Sequence, residues 1–344
     1  MPVDLVDWLL TGLQRSSKDL KEMAASKEAS FIIPTVDISA YLQDPSSDAA
    51  AQVVKQIETG CRTSGFFQIT HHGIPTQLRD TVLNASKTFF TLPNEEKEKY
   101  YGGPGRGYEK IGEQVLEPGT KPELKEGYFI ARNDPTRLPP YRAFEAPNIW
   151  PTPSIPDSTF KEPLLAYHDA VSSLARTLMD MLAHGLNLSP SIFSAFCHEP
   201  VASVRLLHYP PHPTSKDPNL RGAGAHTDFG AITLLLQDES SGLQVLNKES
   251  GEWIDVPPNK DAYVVNVGDM LERWTNGGYK STVHRVINTS GTDRYSVPFF
   301  YDGNLDFVIK PLVDGDGREE EEGFTVEQHM LERYKASYVD NVKP

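Results

Sequence analysis

The sequence predicts a mainly β protein with flanking helices. Three observations predict it. From about residue 201 to 312 the chain is a series of short, apolar, partly β-branched runs, broken by turn signals at Gly224, Gly242, Gly251, Pro257-Pro258, Gly268, Gly277-Gly278 and Gly291. Upstream, the stretches Ala49 to Thr63, Pro75 to Leu92 and Phe160 to Leu188 read as helices. Downstream, Thr325 to Val339 reads as a closing helix, opened by Thr325 with Gln328 three residues later, a capping box.

The elements follow in order. Val3, Val6, Leu10 and Leu13 recur at helical spacing, so residues 3 to 25 form an amphipathic helix within an N-terminal segment, 1 to 30. An α/β region spans 31 to 200. Its first strand lies within 31 to 38 and its second within 65 to 70. His71 and His72 are adjacent, and neighbours on an extended chain point to opposite faces, so they suit a structural role better than chelation. The run Gly102 to Tyr108 is rich in glycine but lacks the Lys-Ser/Thr and the strand-then-helix context of a phosphate loop. It reads as a loop at the barrel mouth, with Arg106 and Tyr108 as candidate substrate contacts. Gly127 to Ile130 is a strand on the same side. The strand-rich core covers 201 to 312, and an acidic loop and closing helix fill 313 to 344. Trp274 and Phe300 are candidates for the substrate wall, with core packing the competing role for both.

Composition narrows the function. With 344 residues, 38% hydrophobic and 10% aromatic, the chain suits an ordinary globular protein. A net charge of −14 argues against nucleic acid and anionic membranes as partners and leaves a small molecule. Two cysteines make no disulfide framework, which fits a reducing cytoplasm. No apolar run approaches a membrane span, and the first residues are acidic where a secretory signal needs basic ones.

The chemistry gathers between Arg221 and Ser296. If His226 and Asp228 lie on one strand, a side-chain period of two puts both on one face and Thr227 on the other. His284 arrives from a later strand. Two imidazoles and one carboxylate on one face of an octahedral ion leave positions open for substrates, the arrangement used by non-haem Fe(II) oxygenases. Arg294 and Ser296 share a strand face by the same period, and Tyr209 could add a phenol. A guanidinium fork and a hydroxyl suit a carboxylate, so the implied ligand is a dicarboxylate that chelates metal at its other end. A Zn(II) hydrolase could also use two His and one Asp, but has no need of Arg294 and Ser296. A non-catalytic binding protein would need no intact triad.

Six motifs in this order resemble one family: Ile33-Pro34-Thr35-Val36-Asp37, Ser64-Gly65-Phe66-Phe67, His72-Gly73-Ile74, His226-Thr227-Asp228, His284-Arg285-Val286 and Arg294-Tyr295-Ser296. The chain resembles the 2-oxoglutarate/Fe(II) oxygenases of the isopenicillin N synthase-like branch over roughly residues 30 to 340. The resemblance implies a double-stranded β-helix (jelly-roll) core. It implies Fe(II) on His226, Asp228 and His284, and 2-oxoglutarate on Arg294, Ser296 and Tyr209. It also implies O2 as cosubstrate, with ascorbate as an assisting reductant. One departure stands out. Leu207 occupies the place where plant members carry an Asn, which removes one polar contact to the cosubstrate. Within the family, the stretches around Tyr209, His226 and Tyr263 look like fungal polyketide-cluster oxygenases and pyrimidine hydroxylases. That likeness favours hydroxylation, or oxidative rearrangement including ring expansion, of an aromatic or polyketide-derived small molecule. The alternatives are hydroxylation of a free amino acid, with Arg106 as carboxylate anchor, hydroxylation of a pyrimidine, and an oxidase that needs no 2-oxoglutarate.

Overall fold

The computed structural model describes residues 31–103, 105–117, 119–132, 138–212, 221–312 and 323–337. The helix expected over 3 to 25 and nearly all of the acidic loop lie outside the described residues. In chain order the strands of the core are β1 (Thr35–Asp37), β2 (Phe66–Thr70), β3 (Gly107–Glu109), β4 (Glu126–Ala131), β5 (Val201–Tyr209), β6 (Ala223–His226), β7 (Ile232–Gln237), β8 (Leu243–Leu246), β9 (Trp253–Asp255), β10 (Tyr263–Val267), β11 (His284–Val286) and β12 (Arg294–Gly303). They form an eight-stranded sheet in the order β1-β2-β10-β7-β12-β5-β4-β3 and a four-stranded sheet in the order β6-β11-β8-β9. Apart from the parallel pair β1 and β2, the ladders are antiparallel. The result is a jelly-roll core, as the resemblance implied. The strands β1 to β4 join the same large sheet as β5, so one sheet runs across the boundary drawn at residue 200.

Alternation along each strand sorts the side chains. On one face of the large sheet, Phe66, Val264, Leu235, Leu207 and Tyr209 meet Ala223, Leu243, Val245 and Val286 of the small sheet in an inner cluster. On the other face, Phe67, Val265, Leu234, Leu206, Val297 and Phe299 join a larger core under the helices. Three helices cover that face: α1 (Asp48–Thr63), α2 (Thr76–Phe90) and α3 (Lys161–Gly185). α3 is apolar along one stripe, burying Leu164, Tyr167, Val171, Leu174, Leu178 and Met181. It packs against the central strands β7, β12 and β5.

The Ser64-Gly65-Phe66-Phe67 motif has a local cause. Gly65 sits at φ +70°, and a Cβ there would lie 2.0 Å from the Lys280 carbonyl oxygen. The turn brings Phe66 into the inner cluster, where its ring packs edge-on against His284 at 5.3 Å. At the other end of the chain, α4 (Asp269–Trp274) follows β10, and α5 (Val326–Ser337) closes the molecule. The Gln328 N–H donates to Thr325 Oγ1 at 3.1 Å and the Thr325 N–H donates to Gln328 Oε1 at 2.9 Å, a reciprocal capping box. Among the described residues no helix is long and apolar enough to cross a membrane.

Trp274 is not a substrate wall. It is 2% exposed and packs on Phe193, Phe196 and Phe307, with ring centroids 4.7 to 5.1 Å away. The turn of α4 points it into the helical core, away from the inner cavity. Trp274→Ala is expected to lower unfolding free energy by about 3–5 kcal/mol, read from urea denaturation. A loss below about 1 kcal/mol would mean that the ring is not a packing element.

Candidate metal centre and active site

β6 and β11 pair so that His226 faces His284 directly across the ladder. Their rings lie 4.3 Å apart, centroid to centroid. Asp228 is not on the strand with His226. β6 ends at His226, and Asp228 stands in the turn that follows. The expected facing still holds, because Thr227 points away and donates to Asp269 Oδ2 at 3.0 Å. His226, Asp228 and His284 each offer a ligand atom, and these atoms all lie within 4.8 Å of one another.

Hydrogen bonds aim each ligand atom. His226 Nδ1 donates to the Gly224 carbonyl at 2.7 Å, and His284 Nδ1 donates to the Thr282 carbonyl at 3.2 Å. With Nδ1 so engaged, Nε2 is the ligand atom of each ring, and each Nε2 sits 3.7 Å from Asp228 Oδ1. Asp228 Oδ2 accepts from Thr233 Oγ1 at 2.6 Å and from Asn266 Nδ2 at 2.7 Å, which leaves Oδ1 for a metal. Burial, then the neighbouring His284 ring, drives the His226 pKa down to about 3, so the imidazole is a neutral donor. Burial opposes charge on Asp228, but the two imidazoles and the two hydrogen bonds outweigh it and hold its pKa below the usual range. The donor set is borderline, two nitrogens and one oxygen, which fits Fe(II).

Two pockets meet at this centre, both lined by His226 and Asp228. The one toward the start of β12 is lined by Tyr209, Arg294 and Ser296. Arg294 is fully buried, and its Nη2 donates to Gln237 Oε1 at 2.8 Å. Its Nε and Nη1 have no partner among the described residues. A buried guanidinium with two unpaired N–H groups is costly unless a carboxylate completes it, so the fork fits the distal end of 2-oxoglutarate. The cation also lies 4.9 Å over the Tyr209 ring, which sits opposite it in the ladder. Lys125 lines the same cavity, ion-paired with Glu123, whose Oε1 accepts the Gly224 N–H at 2.6 Å.

In the other direction lies a pocket walled by Phe129, Phe229, Phe300, Met330 and Tyr334, with Gln114, Ser203, Arg205 and Asp302 among them. Phe300 lines this pocket together with the metal ligands His226 and Asp228. Arg106 and Tyr108 are not. Arg106 donates to the backbone carbonyls of Ala146, Gly105 and Phe144, so it binds the loop together. The Tyr108 hydroxyl donates to Glu126 at 2.7 Å, and its ring packs on Phe89. His72 is buried against Tyr263 and accepts the Ile74 N–H, while His71 pairs with Asp37. Sequence reasoning missed Gln114, Arg205 and Asp302. The period that linked Arg294 to Ser296 extends along β12 to Pro298, Phe300 and Asp302, so Asp302 was open to the same argument.

The comparisons agree with this geometry. The profile of the 2OG-Fe(II) oxygenase superfamily matches residues 200–303, and that of the non-haem dioxygenase N-terminal region in morphine synthesis matches residues 33–153. The 2-oxoglutarate-dependent dioxygenase citB of Monascus ruber is 46% identical, covering 93% of this chain and 100% of its own. Clavatol oxidase claD of Penicillium crustosum is 40% identical, covering 92% of this chain and 99% of its own. A full-length Neurospora crassa protein solved with alpha-KG and thymine superposes with a TM-score of 0.79 at 31% identity, covering 89% of this chain and 97% of that one. The chain therefore belongs to the 2-oxoglutarate/Fe(II)-dependent oxygenases, which use Fe(II), 2-oxoglutarate and O2.

Proposed function

We propose that this oxygenase oxidises a C–H bond, foremost a ring methyl group, of a small aromatic or polyketide-derived molecule. The observation that carries this reading is a pair of pockets that meet at the metal ligands. Both are lined by His226 and Asp228; one holds the buried Arg294 fork, whose Nε and Nη1 have no partner among the described residues, and the other is the aromatic pocket. The named relatives support it, since one is a clavatol oxidase. A free amino acid fits less well, because Arg106, its carboxylate anchor in the sequence reading, is held by backbone carbonyls. Two buried free cysteines and a ferrous cofactor suit a reducing compartment such as the cytoplasm.

In this reading His226, Asp228 and His284 hold the iron. When bound, Fe(II) and 2-oxoglutarate supply the oxidant: O2 puts one oxygen atom into the substrate and one into succinate, with release of CO2. The residues do the rest. Arg294 takes the distal carboxylate and Ser296 Oγ adds a hydrogen bond, which fixes the cosubstrate's length along β12. Tyr209 closes the wall beside it. Thr233 and Asn266 keep Asp228 Oδ1 directed at the metal. Phe129, Phe229, Phe300 and Met330 exclude water and present the substrate's C–H bond toward the metal.

Anaerobic titration of Fe(II) and 2-oxoglutarate should give a weak visible charge-transfer band in the wild type. In Arg294→Ala the apparent 2-oxoglutarate affinity is expected to fall at least roughly 100-fold, since a buried bidentate ion pair is lost. A band of equal strength in the variant would remove Arg294 from the cosubstrate site. Asn266→Leu should weaken Fe(II) binding roughly 10- to 100-fold through loss of the Asp228 hydrogen bond, measured by anaerobic metal titration. Unchanged affinity would mean that Thr233 alone orients the carboxylate.

A further inference from the structure

We propose that Asp302, with Ser203 and Gln114, forms a polar edge that selects a neutral, oxygenated aromatic substrate and rejects carboxylate substrates. This deepens the function proposed above and rests on it. β12 places Asp302 one step beyond Phe300 on the inner face, and β5 places Ser203 opposite Phe300. The Asp302 carboxyl is 4% exposed and has no hydrogen-bond partner among the described residues. The same holds for the Ser203 hydroxyl. The Gln114 side-chain oxygen accepts from Arg205 Nη2 at 3.1 Å, which leaves its amide N–H groups without a described partner. Three polar groups with open hydrogen-bonding capacity thus sit in a pocket whose other walls are aromatic or aliphatic.

The approach is built in. A Cβ on Gly230 would lie 1.9 Å from Asp302 Oδ1, so only glycine leaves room for this carboxyl next to the turn that carries Asp228. Burial pushes the Asp302 pKa up to about 8, with a smaller push from the Asp228 carboxylate. In neither protonation state does Asp302 bring positive charge to a buried substrate carboxylate. A neutral acid offers one O–H to a substrate carbonyl or phenol, and an ionised one repels an anion.

The cations near this pocket are already matched. Arg205 donates to Glu109 and Gln114, and its guanidinium stacks 4.5 Å over the Phe129 ring. Lys125 is paired with Glu123. Among the described residues that line this pocket, a substrate carboxylate would meet Asp302 and only one cation, Arg205, which Glu109 already engages. A ring bearing a carbonyl or phenol would instead complete the open hydrogen bonds, and its face would lie against Phe129, Phe229 and Phe300.

The test uses the full chain with Fe(II) and 2-oxoglutarate, without oxygen, in mildly acidic buffer. Calorimetric titration compares two probes of one skeleton: orsellinaldehyde, a neutral aryl aldehyde with a ring methyl, and orsellinate, its carboxylate. The wild type should bind the aldehyde at least about tenfold more tightly, and Asp302→Leu should lose about tenfold or more of that affinity. Asp302→Asn should keep most of it, because an amide retains a donor and an acceptor. Equal or tighter binding of orsellinate, no saturable binding of the aldehyde, or unchanged affinity in Asp302→Leu overturns the proposal. The charge-transfer band separates the two readings. A band present in the wild type and in Asp302→Leu leaves the oxygenase reading intact whatever the probes do, and its absence from the wild type sinks that reading first. Should Asp302→Leu fail to fold, the wild-type preference and a severalfold loss of aldehyde affinity in Ser203→Ala decide the matter.

Discussion

The antiparallel pairing of β6 with β11 is the constraint on which the active site depends. It sets His226 opposite His284, and neither residue could reach the other from a different register. A slip of one residue would turn both imidazoles to opposite faces and destroy the site. The flanking packing holds that register: Phe66 lies against the His284 ring, and the inner cluster of Val245, Val286 and Leu243 fills the space behind. Asp228 needs a separate device, since it lies beyond the strand. Its place is set by Thr233 and Asn266 on two strands of the opposite sheet, so the carboxylate joins the two sheets at the metal.

Charge is handled differently at the two ends of the cavity. At the substrate pocket the buried cation Arg205 has a protein partner in Glu109. At the cosubstrate end Arg294 has one neutral partner, and its Nε and Nη1 have none among the described residues. The first kind of cation shapes a wall; the second waits for an anion. The contrast separates the site of an obligatory dicarboxylate from the site of a variable substrate. It also shows why a net charge of −14 says little about either, since each pocket sets its own field.

The closing helix α5 ties function to the end of the chain. Met330 and Tyr334 contribute to the aromatic pocket. Arg333 pairs with Asp269 at 2.7 Å and donates to Thr227 Oγ1 at 3.0 Å, reaching the residue between two of the metal ligands. Arg142 grips Glu327 and Asp306 from the other side. The substrate pocket is therefore completed by residues distant in sequence from the strands that carry the chemistry.

Local pattern alone determined the parts of this protein that repeat at short range. The alternation at Arg294 and Ser296 marked the carboxylate site, and apolar spacing marked α1, α2 and α3, because a side chain's face follows from the backbone period. Thr325 and Gln328 likewise announced a cap that needs no distant partner. Only the tertiary structure decided which side chains border the cavity. Arg106 and Tyr108 looked available from a glycine-rich loop, but backbone carbonyls and Glu126 use their donors. Trp274 turned into the helical core with α4. Asp302 and Arg205 lay on strands whose inward face was known, yet the room for Asp302 comes from Gly230 and the partners of Arg205 are Glu109 and Gln114, far away along the chain. Whether a polar group is matched or open depends on what packs against it, and that is a property of the folded molecule.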